Sequence, residues 1–428
     1  MSLNFKAIQD LAATEPSNDL PRIDTAEGPR ALVRRHGSPL LVLDCDRVRS
    51  QYRRLAAALP GVDLHYAMKA LSHPAVIGTL NDEGGFFDLS TTGEIGLLRN
   101  LGVSPGRLIH THPIKTNRDI RDALEYGCQT FVVDNADEMA KFVEYRDRVS
   151  LLLRVGFRSK DAVVDLAKKF GCAPDNAFSL LEMGHRLGLL VRGLSFHVGS
   201  QCGSSRAHVA AINDCRELIE RVRQAGLTPI RTLDIGGGFP ASYRTEALDI
   251  DAFCAPIREA LILVPKEVRL IAEPGRYLVA PAMDSIATVV GKARRGETFW
   301  YYLDDGVYGS YSGKVYDGAQ YPLRVISESK GEQYPSVLAG PTCDSVDVVA
   351  EDMWLPELQI GDLIVGGSMG AYTIASASEF NSIAKTKILV SNGPAVVSRS
   401  DHGKQGPHLA EDRTGRAHGA ARLNVNGS

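Results

Sequence analysis

The sequence predicts an α/β protein, a (β/α)8 TIM-type barrel followed by a mainly β C-terminal domain. Three observations predict it. From about residue 39 to residue 276, short apolar runs alternate with amphipathic stretches, the pattern of parallel strands joined by helices. Ionisable and polar residues gather at the ends of those runs, where a closed barrel opens its mouth. After Arg276 the helical periodicity fades and short β-rich runs replace it. The number of successive units favours closure, although alternation alone also admits an open doubly wound sheet.

Residues 1–38, with Pro16, Pro21 and Gly28, read as an N-terminal arm, part of which joins the β domain. The barrel is assigned to residues 39–276. Its strand-like runs are LLVLD from Leu40, LHYAMK from Leu64, FFDLS from Phe86, LIHTH from Leu108 and TFVVD from Thr130. They continue as LLLRVG from Leu151, LSFHVG from Leu194, TLDIGGG from Thr232 and LIAEPG from Leu270. Helical patterns lie between most of them, as at 46–59 and 205–224. The second domain, 277–392, carries IATVVG, FWYYLD, SVLAG, LIVGG and TKILVS, read as a β-sandwich or small barrel. Residues 393–428 are rich in Gly, His, Arg, Asp and Ser and read as a disordered tail.

A chain of 428 residues is comfortable for two domains. With 44% hydrophobic and 23% charged residues it has a soluble globular composition. A net charge of -3 gives no reason to expect nucleic acid or a membrane surface as partner. The seven cysteines are scattered, without a C-x-x-C pair or a Cys/His cluster at metal spacing. Most read as reduced core residues of a cytoplasmic protein, with no metal site. No signal-peptide pattern opens the sequence, and no apolar run is long enough to span a bilayer.

Several run ends carry chemistry. Lys69 ends LHYAMK. A lysine there is ordinarily an exposed, snorkelling side chain, but one partly desolvated at a barrel mouth has the lowered pKa that Schiff-base chemistry uses. Gly236, Gly237 and Gly238 follow a strand directly. Such a run lets backbone N–H groups approach a phosphate, though a tight turn explains it equally, and the spacing is not that of a dinucleotide fingerprint. AEPGRY supplies Glu273, Gly275 and Arg276, an anion-holding arginine or simply an inter-domain turn. His197 and Ser200 follow another strand, and a structural histidine is the plain reading there. In FDLSTTGEI, Asp88 precedes a helix start that Ser90 or Thr91 caps, with Glu94 in the first turn. In the β-rich part, Cys343 sits in a polar turn beside Asp344, a candidate proton donor. VYDGAQ carries Tyr316 and Asp317, and MGAYT carries Tyr372. Two acids in one pocket suit a cationic substrate tail, while each alone reads as a solvated turn residue.

Together, YAMKA, FDLSTTGEI, SFHVGSQC, LDIGGGFP, AEPGRY, DDGVYGS, VYDGAQ, GPTCD and MGAYT resemble, in order and spacing, the fold-type III pyridoxal-phosphate decarboxylases of ornithine, lysine, diaminopimelate and arginine. The likeness runs from about residue 39 to residue 391 and is strongest to the eukaryotic-type ornithine decarboxylases. It implies an alanine-racemase-like barrel, pyridoxal 5'-phosphate as cofactor, and decarboxylation of a basic L-amino acid, ornithine first, to putrescine and carbon dioxide in polyamine synthesis. By the same resemblance Lys69 carries the cofactor, Asp88 sits beside it, Glu273 pairs with the pyridine nitrogen and His197 stacks on the ring near Arg154. Ser200, Gly237, Gly238, Gly275, Arg276 and Tyr372 hold the phosphate. Cys343 acts as acid toward the product carbanion, and Asp317, Asp344 and Tyr316 meet the distal ammonium. The resemblance also implies a homodimer with shared active sites, GPTCD coming from the partner.

Three stretches depart from the family pattern. Ala70 and Leu71 follow the lysine, FDLSTTGEI replaces the commoner FDCASKTEI, and residues 110–116 are unlike the usual run. They bear on substrate preference, since the chemical residues are present. Competing readings are a lysine decarboxylase or another cationic amino-acid decarboxylase of a specialised pathway, an amino-acid racemase of the same fold, and a cofactor-free regulatory homologue. Glu273, where racemases place an arginine, speaks against the racemase. Intact Lys69, Asp88 and Cys343 speak against the regulator.

Overall fold

The computed structural model describes residues 28–157, 162–164, 168–243 and 249–394. The first 27 residues of the expected arm, and the expected disordered tail beyond residue 394, lie outside the described residues.

The first strand is β1 (Leu40–Asp44). Next come β2 (Val62–Ala67), β3 (Phe86–Leu89), β4 (Leu108–His110), β5 (Thr130–Val133) and β6 (Ser150–Val155). β7 (Ala162–Val164) and β9 (Ser200–Cys202) form a small antiparallel pair, separated in sequence by β8 (Val191–Phe196). β10 (Thr232–Asp234) and β11 (Arg269–Ala272) complete this half. Among the described residues, β2 to β6, β8, β10 and β11 close a parallel barrel, β11 returning onto β2.

The strand alternation explains the closure. Ile109, Val132, Leu152 and Ile271, from four strands, pack together as their own cluster, as inward-facing barrel residues do. Their neighbours Leu108, Phe131, Val133, Leu151 and Leu153 join the larger core that includes the surrounding helices. Each such side chain contributes about 1.5–3 kcal/mol on burial. The helices start at side-chain caps. Asp44 accepts from the Asp46 N–H to open Cys45–Ala58. Thr91 and Glu94 form a capping box on Thr92–Asn100, and Thr116 and Asp119 form another on Asn117–Tyr126.

The other half comprises β12 (Met283–Arg295), β13 (Thr298–Leu303), β14 (Leu323–Ile326), β15 (Tyr334–Ala339), β16 (Val348–Leu355), β17 (Leu363–Gly366) and β18 (Lys387–Ser391). Their order is β14-β17-β12-β13-β15-β16.

β1 corrects one expectation. LLVLD, read as the barrel's first strand, lies between β12 (antiparallel) and β18 (parallel) in the β sheet. Leu40 packs with Ile286, Leu363, Val365 and Leu389, and Leu32 of the helix Pro29–His36 joins that cluster. A strand buried on both faces has the same apolar run in either sheet, so its partners are not written in its own residues. No described helix is long and apolar enough to cross a membrane.

Candidate active site

The site is built at the C-terminal ends of the barrel strands. Lys69 lies in a single 3-10 turn, Met68–Ala70, directly after β2. Its Nζ is 3.2 Å from Asp88 Oδ2. Asp88 is buried within β3, and its Oδ1 accepts a hydrogen bond from the Thr111 hydroxyl. Desolvation at the mouth works against the Lys69 ammonium, but Asp88, Glu273 and Tyr372 outweigh it and the net shift is upward, opposite to the lowered pKa expected from the sequence. Burial pushes the Asp88 carboxyl up to about 6, with Lys69 pulling it down and Glu273 adding to the rise.

Glu273 follows β11, and its N–H donates to the Gly236 carbonyl at 2.8 Å. Burial, then the neighbouring Asp234 carboxyl, hold Glu273 well above the usual range. Asp234 is itself fixed by the Ser195 hydroxyl at 3.1 Å and the Gly236 N–H at 2.9 Å. The two acids are side-chain hydrogen-bond partners, an interaction that adds to the rise at Glu273. His197 follows β8, and its Nδ1 accepts from the Gly199 N–H at 3.1 Å. Burial, then Arg154 and Lys69, drive its pKa well below the ordinary value, leaving a neutral ring. Arg154 is buried in β6, its guanidinium 5.6 Å from the centre of the Phe170 ring.

Glycine is required in the turn after β10. A Cβ on Gly237 would lie 2.7 Å from the Glu273 carbonyl oxygen and 2.9 Å from His197 Nε2. Gly238, at φ 101, combines a left-handed conformation with a Cβ position 2.7 Å from the Gly199 carbonyl oxygen. From the helix Arg206–Gln224, the buried His208 donates through Nε2 to the Gly237 carbonyl at 3.0 Å.

Arg276 opens the short helix Arg276–Val279. Its Nε and Nη2 donate to Ser200 Oγ at 3.2 and 3.1 Å, and its Nη1 to the Tyr243 hydroxyl at 2.9 Å. Nη2 also pairs with Asp317 Oδ2 at 2.6 Å. The guanidinium sits 4.7 Å from the centre of the Tyr372 ring. Tyr372 comes from the β domain and ties itself to the barrel by donating its N–H to the Ala70 carbonyl at 3.1 Å. Gly275 packs closely against the end of β2 and the Lys69 turn, its Cβ position being 3.2 Å from the methyls of Ala67 and Ala70.

The structure thus gathers Lys69, Asp88, Arg154, His197, Ser200, Gly237, Gly238, Glu273, Gly275, Arg276, Asp317 and Tyr372 at one mouth. It offers an amine, a buried acid, a neutral imidazole face and an anion clamp. Tyr316 is 67% exposed beside Asp317. Cys343 and Asp344 stand apart. Cys343 is exposed, with its N–H bonded to Asn381 Oδ1 at 3.2 Å. Asp344 accepts from the Tyr308 hydroxyl, which holds its carboxyl below the usual range. Among the described residues no hydrogen bond or ion pair joins these two to the mouth. Likewise, no group of three or more described His, Cys, Asp or Glu residues is arranged to hold a metal ion. Sequence reasoning assigned nothing to Thr111, Asp234, His208 or Tyr243. Asp234 had a signal, a carboxylate ending a buried strand. Thr111 stands in the stretch noted as departing from the family.

Residues 45–280 match the family model described as pyridoxal-dependent decarboxylase, pyridoxal binding domain. A crystal structure of lysine/ornithine decarboxylase from Vibrio vulnificus with putrescine is 53% identical, with a TM-score of 0.80, over 85% of this chain and 96% of that chain. The complex with cadaverine gives 51% and 0.82 over 86% and 98%. Lysine/ornithine decarboxylase of Selenomonas ruminantium is 35% identical over 82% of this chain and 89% of its own length. Antizyme inhibitor 2 of Xenopus laevis is 34% identical over 81% and 79%.

Proposed function

The chain belongs to the fold-type III pyridoxal-phosphate-dependent decarboxylases, and on that premise we propose that its substrate is a diamino monocarboxylic acid, ornithine first and lysine second. The products are the diamine and carbon dioxide. The observation that carries the reading is the convergence of the Lys69–Asp88 pair, the Glu273 acid and the Arg276 clamp on one barrel mouth.

The residues fit the cofactor. The glycine turn leaves space that any Cβ would fill, and the buried Glu273 keeps a proton for a basic ring nitrogen. Pyridoxal phosphate, when bound, supplies the electron sink that takes up the pair left behind by the departing carboxylate. Lys69 Nζ is the attachment point. Asp88 holds the charge state of that amine, and Glu273 holds the proton at the pyridine nitrogen. The neutral His197 presents its ring face, with Arg154 behind it. Ser200, Gly237, Gly238, Gly275, Arg276 and Tyr372 hold the phosphate.

Asp317 binds the distal ammonium, with Tyr316 beside it. Asp344 joins from a partner subunit, and Cys343 of the same turn delivers a proton to the product carbon. A homodimer with shared sites is supported by the exposure of Cys343 and by the lack, among the described residues, of a hydrogen bond or ion pair between its turn and the mouth. A cytoplasmic location is supported by the buried free cysteines. The likeness to Antizyme inhibitor 2 does not redirect the reading, because Lys69, Asp88 and Cys343 are all in place.

The test is carbon dioxide release by the loaded enzyme from ornithine, lysine, arginine and diaminopimelate, with a chiral assay on recovered substrate. The expected order of kcat/KM is ornithine, then lysine, then the others. Two acids facing a second carboxylate repel it, so a preference for diaminopimelate sinks the proposal. So does inversion without gas release.

A further inference from the structure

We propose that Thr111 is a positioning residue for Lys69: its hydroxyl fixes the Asp88 carboxylate in the orientation that pairs with the amine. The proposal deepens the reading of Lys69 as cofactor attachment point and rests on it.

A carboxylate turns about its Cβ–Cγ bond unless both oxygens are engaged. In Asp88, Oδ2 faces Lys69 Nζ at 3.2 Å and Oδ1 accepts from Thr111 Oγ1. Both Asp88 and Thr111 are almost completely buried, at 1% and 3% exposure, so water does not replace a lost partner there. The Thr111 backbone is itself held, since its N–H donates to the Leu89 carbonyl at 3.1 Å. A β-branched side chain on a fixed backbone has few rotamers, so the aim of the hydroxyl is narrow. A donor to an ionised carboxylate also stabilises its charged form. The pair is faced by Glu273, Glu94, Asp234, Tyr372, Cys128, His112 and His197 as well. Replacing Thr111 by valine keeps all of them and the side-chain shape, and removes one hydrogen bond.

The consequence falls on Lys69. Without the hydroxyl, the Asp88 carboxylate is free to turn away from Nζ, so the ammonium loses support and the neutral amine becomes more abundant. Competitive labelling of the apoprotein with acetic anhydride reads this directly, because the Lys69 side chain is 41% exposed. At a fixed alkaline pH, Thr111→Val and Thr111→Ala should each raise the Lys69 labelling rate about three- to tenfold, the range of one ordinary net hydrogen bond, because the lost bond acts on Lys69 only through Asp88. Thr111→Ser should restore the native rate. In an Asp88→Asn background, Thr111→Val should add nothing. A native rate in the valine and alanine variants overturns the proposal. So does failure of serine to restore it, or an equal effect with and without Asp88, each of which assigns Thr111 to packing. Borohydride fixation of cofactor in the holoenzyme separates the premise: fixation on another lysine removes Lys69 as attachment point, while the labelling result stands on its own.

Discussion

Arg276 divides its N–H donors among Ser200, Tyr243 and Asp317, and that division links two subsites. The guanidinium proposed to hold an anion is also the partner of the acid proposed to hold the substrate's cation. Asp317 is mostly buried, its side chain 18% exposed, so its charge acts in a poorly screened setting. Asp317→Asn keeps the shape and removes the charge. It should raise KM for ornithine and lower kcat/KM roughly ten- to a thousand-fold, the range for loss of one desolvated ion contact. Discrimination against norvaline, which lacks the distal ammonium, should relax in the same variant. Steady-state kinetics on both substrates checks this, and an unchanged KM for ornithine removes Asp317 from the substrate site. The acid itself was legible in the sequence as a polar residue in VYDGAQ, but its ion pair with Arg276 was not. That contact depends on how the β domain folds back over the barrel mouth, and no local pattern encodes it. Thr111 is similar: a threonine ending a strand has a common residue type, and only the neighbouring strand makes it a donor to Asp88.

At the scale of elements, strand, turn and following loop act together. The turn after β10 sits between the Glu273 backbone, the His197 ring and the His208 side chain. Gly237→Ala puts a methyl into that space and should destabilise the fold by about 1–3 kcal/mol. It should also weaken pyridoxal phosphate binding roughly ten- to a hundred-fold, measured by titrating the apoprotein. Gly96→Ala is the matched control. It lies in the helix Thr92–Asn100 with open space around its Cβ position, and should be neutral or slightly stabilising. Equal effects at both positions remove the special status of the turn. The barrel strands were legible because parallel strands are buried on both faces and carry their chemistry at one end. The same property made β1 misleading, since its apolar run fits the centre of a barrel and the centre of a mixed sheet alike. Its true neighbours β12 and β18 begin 243 and 347 residues further along, judging from Leu40, Met283 and Lys387.

At the scale of the whole molecule, Cys343 and Asp344 lie between β15 and β16. They sit on a turn anchored by Asp347, which accepts from the Thr342 N–H at 3.0 Å and the Val307 N–H at 2.8 Å, so the turn is held in place. Tyr308 and Phe380 stack beside it at 4.4 Å, and Val346, at 60% exposure, and Tyr316, at 67%, leave apolar surface nearby. A half-buried acid and an exposed thiol on an ordered, partly apolar rim suit an interface between two copies better than a solvent-facing loop. The proposed homodimer, if twofold, places the same turn of each copy over the other's mouth. Two inactive variants then complement one another. Lys69→Ala and Cys343→Ala subunits, mixed equally and allowed to exchange, give about half heterodimers by random pairing. Each heterodimer has one site with both defects and one with neither, so roughly a quarter of native activity returns. If both residues serve the same chain's site, every site in every mixture keeps one defect and no activity beyond that of the separate variants appears. Subunit exchange, followed by mass spectrometry of differently tagged chains, ensures that an absence of recovery counts against the shared site.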